Sequence, residues 1–232
     1  MPQTVRSATL QDIPSLIPLL LADAEERRVT DPILWNVAHD AAQQVEKALI
    51  YALSAEPQPF RQIWQVAQEA GRVVGVIHSM LLPVPPIYAG AKGDPGLILP
   101  DACVAPDAPE GTVDALVAAC ERALMAAGAQ IILSSYVTGP AWQETFVRRG
   151  YDPLTLYLSR SPLDALDMPM AVRPAAQGDV AGIVRRSAEH RQILFGIDPF
   201  WAIHPDSDAR FAAWMSRSLT LGDRDMLVMG SS

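Results

Sequence analysis

Few side chains in this chain could move a proton or attack an electrophile near neutral pH. There are four histidines, two cysteines and a scatter of carboxylates. His78 lies in the β-like run Arg72 to Leu81, and its imidazole could deprotonate an amine; the plainer reading is a strand histidine that faces solvent or bonds to a neighbour. Asp101 lies in the run Leu97 to Val104 beside Pro100, a residue that suits a bulge or a strand end. Cys103, in the same run, would need a nearby base to serve as a nucleophile, and it reads more simply as core. Cys103 and Cys120 make neither a disulfide framework nor a zinc site. His190, His204 and Asp206 have no regular ligand spacing, so no metal is expected.

The elements that would hold these groups follow from periodicity and punctuation. Val5 opens a strand over 4–8. Thr9-Leu10-Gln11-Asp12 is a capping-box-like start, and apolar residues at 13, 16, 17, 20 and 21 predict a helix over 10–24. Ala41, Val45 and Leu49 predict a second helix over 37–52. Ile63 to Gln68 and Arg72 to Leu81 read as a hairpin turning at Gly71. Residues 83–96, rich in proline and glycine, form an irregular connection. A strand over 97–104, a helix over 110–127, a strand over 130–136, a helix over 142–149 and a strand over 154–160 complete the first part. Trp35 and Trp201 are expected to anchor the core, with a binding-pocket wall as the alternative.

The chain also begins twice. Val5-Arg6-Ser7-Ala8 through Asp12 returns as Val172-Arg173-Pro174-Ala175 through Asp179, and Asp31-Pro32 returns as Asp198-Pro199 at the same offset. The second copy supplies a strand over 171–175, helices over 177–190 and 207–220, and a strand over 225–229, whereas the first copy runs on to residue 160. The expected organisation is a complete domain over 1–160, a linker over 161–170 and the opening part of a second domain over 171–232. Strand 225–229 should then show an unpaired edge, disorder near the C-terminus, or docking of the fragment on the first domain.

This order, with its opening Val-Arg-x-Ala-x-x-x-Asp box, the hairpin Val66 to Gly75, the junction Val104-Ala105-Pro106 and the run Phe146-Val147-Arg148-Arg149-Gly150-Tyr151, resembles the GNAT N-acetyltransferase family over residues 3–160. The resemblance implies an α/β (α+β) fold with a mixed, mostly antiparallel sheet flanked by helices, plus the first half of a second copy. It also implies acetyl-CoA wedged between strands 97–104 and 130–136, its pyrophosphate on the N-terminus of the next helix. The residues it assigns to the cofactor are Cys103, Val104, Gly111, Thr112, Val113 and Asp114. Asp101 sits in the strand that often supplies the family's general base.

Three places depart from the family pattern. Pro109, Thr112 and Asp114 stand where the pyrophosphate loop carries Arg/Gln, Gly and Gly, so a carboxylate would face an anion, unless Glu110 and Asp114 satisfy the helix end themselves. Phe146 occupies the usual place of the tyrosine acid and has no proton to give. Tyr136-Val137-Thr138-Gly139-Pro140 lacks the common asparagine. The expected function is N-acetyltransfer from acetyl-CoA to a small amine, in a tandem protein with a degenerate first domain and a truncated second one. The alternative is a non-catalytic pseudo-acetyltransferase module for binding or dimerisation, and a homodimer is left open.

A net charge of −8 without clustered lysines and arginines speaks against nucleic acid. The apolar run Leu16 to Ala22 is too short for a membrane span. The start lacks the order of a signal peptide, so cytoplasmic residence is expected.

Overall fold

The computed structural model describes residues 4–54, 61–135, 140–153 and 172–229. The expected strand 154–160, the linker 161–170 and Tyr136 to Gly139 lie outside them. The chain divides into two compact units, Met1–Pro83 with Asp94–Ser159, and Val84–Gly93 with Arg160–Ser232.

The first unit runs β1 (Thr4–Ser7), α1 (Ile13–Thr30), α2 (Ala41–Leu53), β2 (Gln62–Glu69), β3 (Arg72–Leu81), β4 (Gly96–Ile98), β5 (Cys103–Val104), α3 (Thr112–Ala126), β6 (Ile132–Ser134) and α4 (Pro140–Arg148). The sheet order is β1-β2-β3-β4-β6, with β5 also paired to β3. Every pairing is antiparallel except the parallel β4–β6. Ala70 and Gly71, both with positive φ, close the β2–β3 hairpin as a two-residue turn; glycine takes that conformation freely, alanine at a small cost.

That turn pairs Glu69 with Arg72, but a β-bulge between Ala67 and Gln68 shifts the register by one. Trp64 consequently lies opposite His78 rather than Ile77. Faces alternate along these strands, so each side of the sheet has its own core. Val74, Ile77 and Ala67 pack with Leu116, Val117 and Phe146 from α3 and α4. On the other side Val66, Val76 and Trp64 pack with Leu16 and Leu49 from α1 and α2. His78, two residues beyond Val76, points to the α1 and α2 side.

Two elements differ from the periodicity reading. α1 continues to Thr30 although its apolar positions stop at 21, because the inward position in its last turn is Arg27, which is buried and paired with Asp23 one turn back. The expected strand 97–104 is interrupted at Pro100: Leu99 N–H still donates to His78 O, Ala102 N–H donates back to Pro100 O, and Cys103 rejoins β3 at Val76. Four residues, 99–102, thus stand against two on β3.

The second unit contains β7 (Val172–Pro174), α5 (Val180–Ile197), a short 3-10 helix (Pro199–Trp201), α6 (Ser207–Ser218) and β8 (Leu227–Met229). β7 and β8 form a two-stranded antiparallel ribbon, with no further strand on either among the described residues. Arg173 grips Asp179 through both terminal nitrogens at 2.7 Å, and Ala176 N–H donates to the same carboxylate at 2.8 Å. The same staple joins Arg6, Asp12 and Thr9 N–H at 2.7–2.8 Å in the first unit. Val84–Gly93 is held in this unit through Ala89 N–H to Ala202 O, His204 N–H to Ile87 O and a tilted contact between Tyr88 and Trp201.

Candidate functional site

The two sequence-picked proton carriers meet at the wall of a cavity. The bulge at Pro100 brings Asp101 back over β3, and His78 Nδ1–H donates to Asp101 Oδ2 at 3.1 Å. His78 Nε2 lies 3.0 Å from Gln62 Oε1. The ring is buried and stacks on Trp64, centroids 3.9 Å apart and planes 14° apart. With Nδ1–H given to the carboxylate, Nε2 has two options: an imidazolium donates to Gln62 Oε1, or a neutral ring accepts from the amide once it turns over. The pair is a positioned group that can hold or release a proton, with Asp101 fixing the tautomer.

The cavity in front of it measures about 540 Å³ and runs between α1, α2 and the sheet. Leu20, Leu21, Val45 and Leu49 give it apolar walls, and Trp35, Tyr51 and Trp64 add aromatic surface. Trp35 is therefore a cavity wall, 40% exposed, and not the core anchor the repeat suggested. The Arg27 guanidinium lies 5.4 Å from the centre of the Trp35 ring. Its Nη2 donates to Asp23 and, at 2.5 Å, to Pro100 O, tying the end of α1 to the bulge. Burial lifts the Asp23 carboxyl above its ordinary range, although Arg27 opposes the shift. Trp64, Gln62 and Arg27 escaped the sequence reading; only the bulged register reveals the first, and an i, i+4 Asp-Arg pair in a charged stretch hints at the third.

The residues assigned to the cofactor lie on the other side of the sheet or in its cores. Cys103 is buried beneath α1, with its thiol directed at Leu19 O at 3.6 Å, and burial pushes that thiol well above its ordinary value. Val104 pairs with Gly75, and Val113 belongs to the core under α3. Gly111 caps α3 with φ +83°, a left-handed conformation suited to glycine, and an added Cβ there would meet nothing within 4 Å. Thr112 is buried, its hydroxyl donating to Pro109 O at 2.5 Å. Asp114 makes no side-chain cap to the helix; it accepts from Arg148 at 3.1 Å and Arg149 at 3.3 Å, which hold its carboxyl below the usual range.

Those arginines belong to the end of α4, so the start of α3 is stitched to α4. Arg149 also donates to Glu121 at 2.5 Å, and the Tyr151 hydroxyl donates to Glu121 at 3.2 Å. Ser135 N–H donates to Ile98 O, the last bond between β4 and β6 among the described residues. A small cavity of about 10 Å³ beside them is lined by Ile98, Pro100, Ser134, Trp142 and Phe146. Phe146, at the expected acid position, is a core residue in edge contact with Tyr151.

This arrangement of sheet, crossover helices and diverging parallel strands is the GNAT acyl-CoA N-acyltransferase fold. Among solved structures similar to it are a predicted acetyltransferase with acetyl-CoA from Clostridium acetobutylicum (14% identity, TM-score 0.51, 69% of this chain and 96% of that one) and a ribosomal-protein-alanine N-acetyltransferase from Brucella melitensis (15%, 0.51, 69% and 99%). A GCN5-related N-acetyltransferase from Ralstonia eutropha is a third (18%, 0.51, 68% and 98%). No family model and no curated protein sequence matches the chain. No described helix is long and apolar enough to cross a membrane.

The fold implies acetyl-CoA, but the described residues of the first unit do not fit it. Pro109 has no N–H to offer a phosphate, and Asp114 stands in place of a loop glycine with its carboxylate tied to Arg148 and Arg149.

Proposed function

We propose that the first unit is an acetyltransferase fold used as a small-amine receptor, its acceptor side kept and its donor side closed. The observation that carries this is the contrast between the cavity of about 540 Å³ beside His78 and Asp101 and the start of α3, where Pro109 offers no N–H and Asp114 is tied to Arg148 and Arg149. Such a unit recognises an amine through the Asp101 carboxylate and the aromatic walls, without transferring an acyl group in the closed form. The Arg173–Asp179 staple, matching Arg6–Asp12, supports reading 171–232 as the opening half of a second copy.

One observation favours a second reading, N-acetyltransfer from acetyl-CoA to a small amine: His78 and Asp101 form the kind of pair that takes a proton from an ammonium group. That reading requires Trp142 and the Asp114–Arg148 bridge to give way. Titration calorimetry with acetyl-CoA and with a panel of primary amines, followed by a thiol-release assay, separates the two. Amine binding with no saturable acetyl-CoA binding is expected; acetyl-CoA-dependent thiol release that is lost in His78→Gln establishes the enzyme instead.

A further inference from the structure

The chemistry of the cavity wall narrows the amine, an inference that rests on the receptor reading above. Two carboxylates reach the cavity among the described residues, Asp23 and Asp101. Asp23 is already neutralised by the buried Arg27, which leaves Asp101, whose side chain is 52% exposed, to meet an incoming cation. Among the described lining residues, a polyamine or aminosugar with several charges would find no further carboxylate.

A ligand with its own carboxylate fares no better. Among the described residues no lysine lines the cavity, and the one described lining arginine is buried, with its Nη2 committed to Asp23 and Pro100 O and its Nε beneath the surface. Bringing an unpaired carboxylate into such a site is strongly unfavourable, because its charge loses water and gains no partner. Apart from Asn36, Gln44, Gln62 and His78, the rest of the described wall is alanine, leucine, valine and aromatic surface, which rewards apolar area.

We infer that the cavity selects a primary amine with a single positive charge on an apolar aromatic or alkyl body, its ammonium group at Asp101 and its body between α1 and α2. Trp35 and Trp64 lie in the wall, so their fluorescence reports occupancy.

The test titrates the full chain with phenethylamine, phenethyl alcohol, spermidine and alaninamide. Saturable phenethylamine binding, at least tenfold tighter than each of the others, is expected. Asp101→Asn should weaken it at least tenfold, and Ala48→Phe, a filling substitution on the α2 wall, should abolish it while the circular dichroism of both variants stays that of the parent. Spermidine or alaninamide binding as tightly as phenethylamine overturns the selectivity and leaves the receptor reading intact, and phenethyl alcohol binding equally well overturns the role of the charge. If none of the amines saturates, the receptor reading falls as well.

Discussion

Asp12 accepts from both Arg6 terminal nitrogens and from the Thr9 N–H and hydroxyl, and its carboxyl is lowered to about 2, chiefly by Arg6. A depressed folded-state pKa gives stability that is whole above the unfolded carboxyl's pKa of about 4 and is lost as pH falls through about 2. Because Arg6 is partly in water, Asp12→Asn is expected to cost ~1–2 kcal/mol at pH 7. The difference between variant and parent in urea melts should shrink between pH 4 and pH 2; a pH-independent difference would refute the ion pair as its cause. The cysteines make a separate prediction. Both are buried, and burial pushes Cys120 up to about 11 and Cys103 further. Neither thiol should react with a disulfide reagent at pH 8 in the folded chain, and both should react in denaturant.

At the scale of elements, close approach between β3, β5 and α3 depends on Gly75, where an added Cβ would lie 3.0 Å from both Leu116 Cδ1 and Val104 Cγ1. Gly75→Ala is expected to destabilise by ~1–3 kcal/mol through overpacking, measured by chemical denaturation. Trp142 is buried in the core under α3 and lines the small cavity beside β4 and β6, and Trp142→Ala should cost ~3–5 kcal/mol. If Trp142 and Asp114 are what exclude acetyl-CoA, the same variant combined with Asp114→Gly should gain measurable affinity for it in calorimetry. Element order was largely legible in the sequence, because alternation over 63–81 and helical spacing over 41–49 each match one period. The bulge was not, since nothing in the apolar run Val73-Val74-Gly75-Val76 marks Val74 as the residue left unpaired in the ladder, and it moved Trp64 from opposite Ile77 to opposite His78.

At the scale of the molecule, the irregular connection after β3 is shared between units: Val84–Gly93 is counted with the second, bridged at Tyr88 to Ile203 and bonded at Pro86 O by Arg210 at 2.9 Å. Tyr88→Ala removes the contact with Trp201 and is expected to speed amide hydrogen exchange over 199–204, leaving β2 and β3 protected. Equal exchange in variant and parent would mean that the backbone bonds alone hold this segment.

The sequence by itself determined the fold, since periodicity, turn residues and motif order all act over short stretches of chain and agree with one another. It also supplied both members of the proton-carrying pair and the altered loop at the start of α3. Whether His78 and Asp101 meet depended on a bulge in β2–β3 and a second interruption at Pro100. Whether Asp114 repels an anion or is neutralised depended on Arg148 and Arg149, more than thirty residues away. The tertiary structure decided these points because register and long-range ion pairing are settled by the competition of packed faces for one arrangement, and that competition leaves no local mark on the residues it brings together.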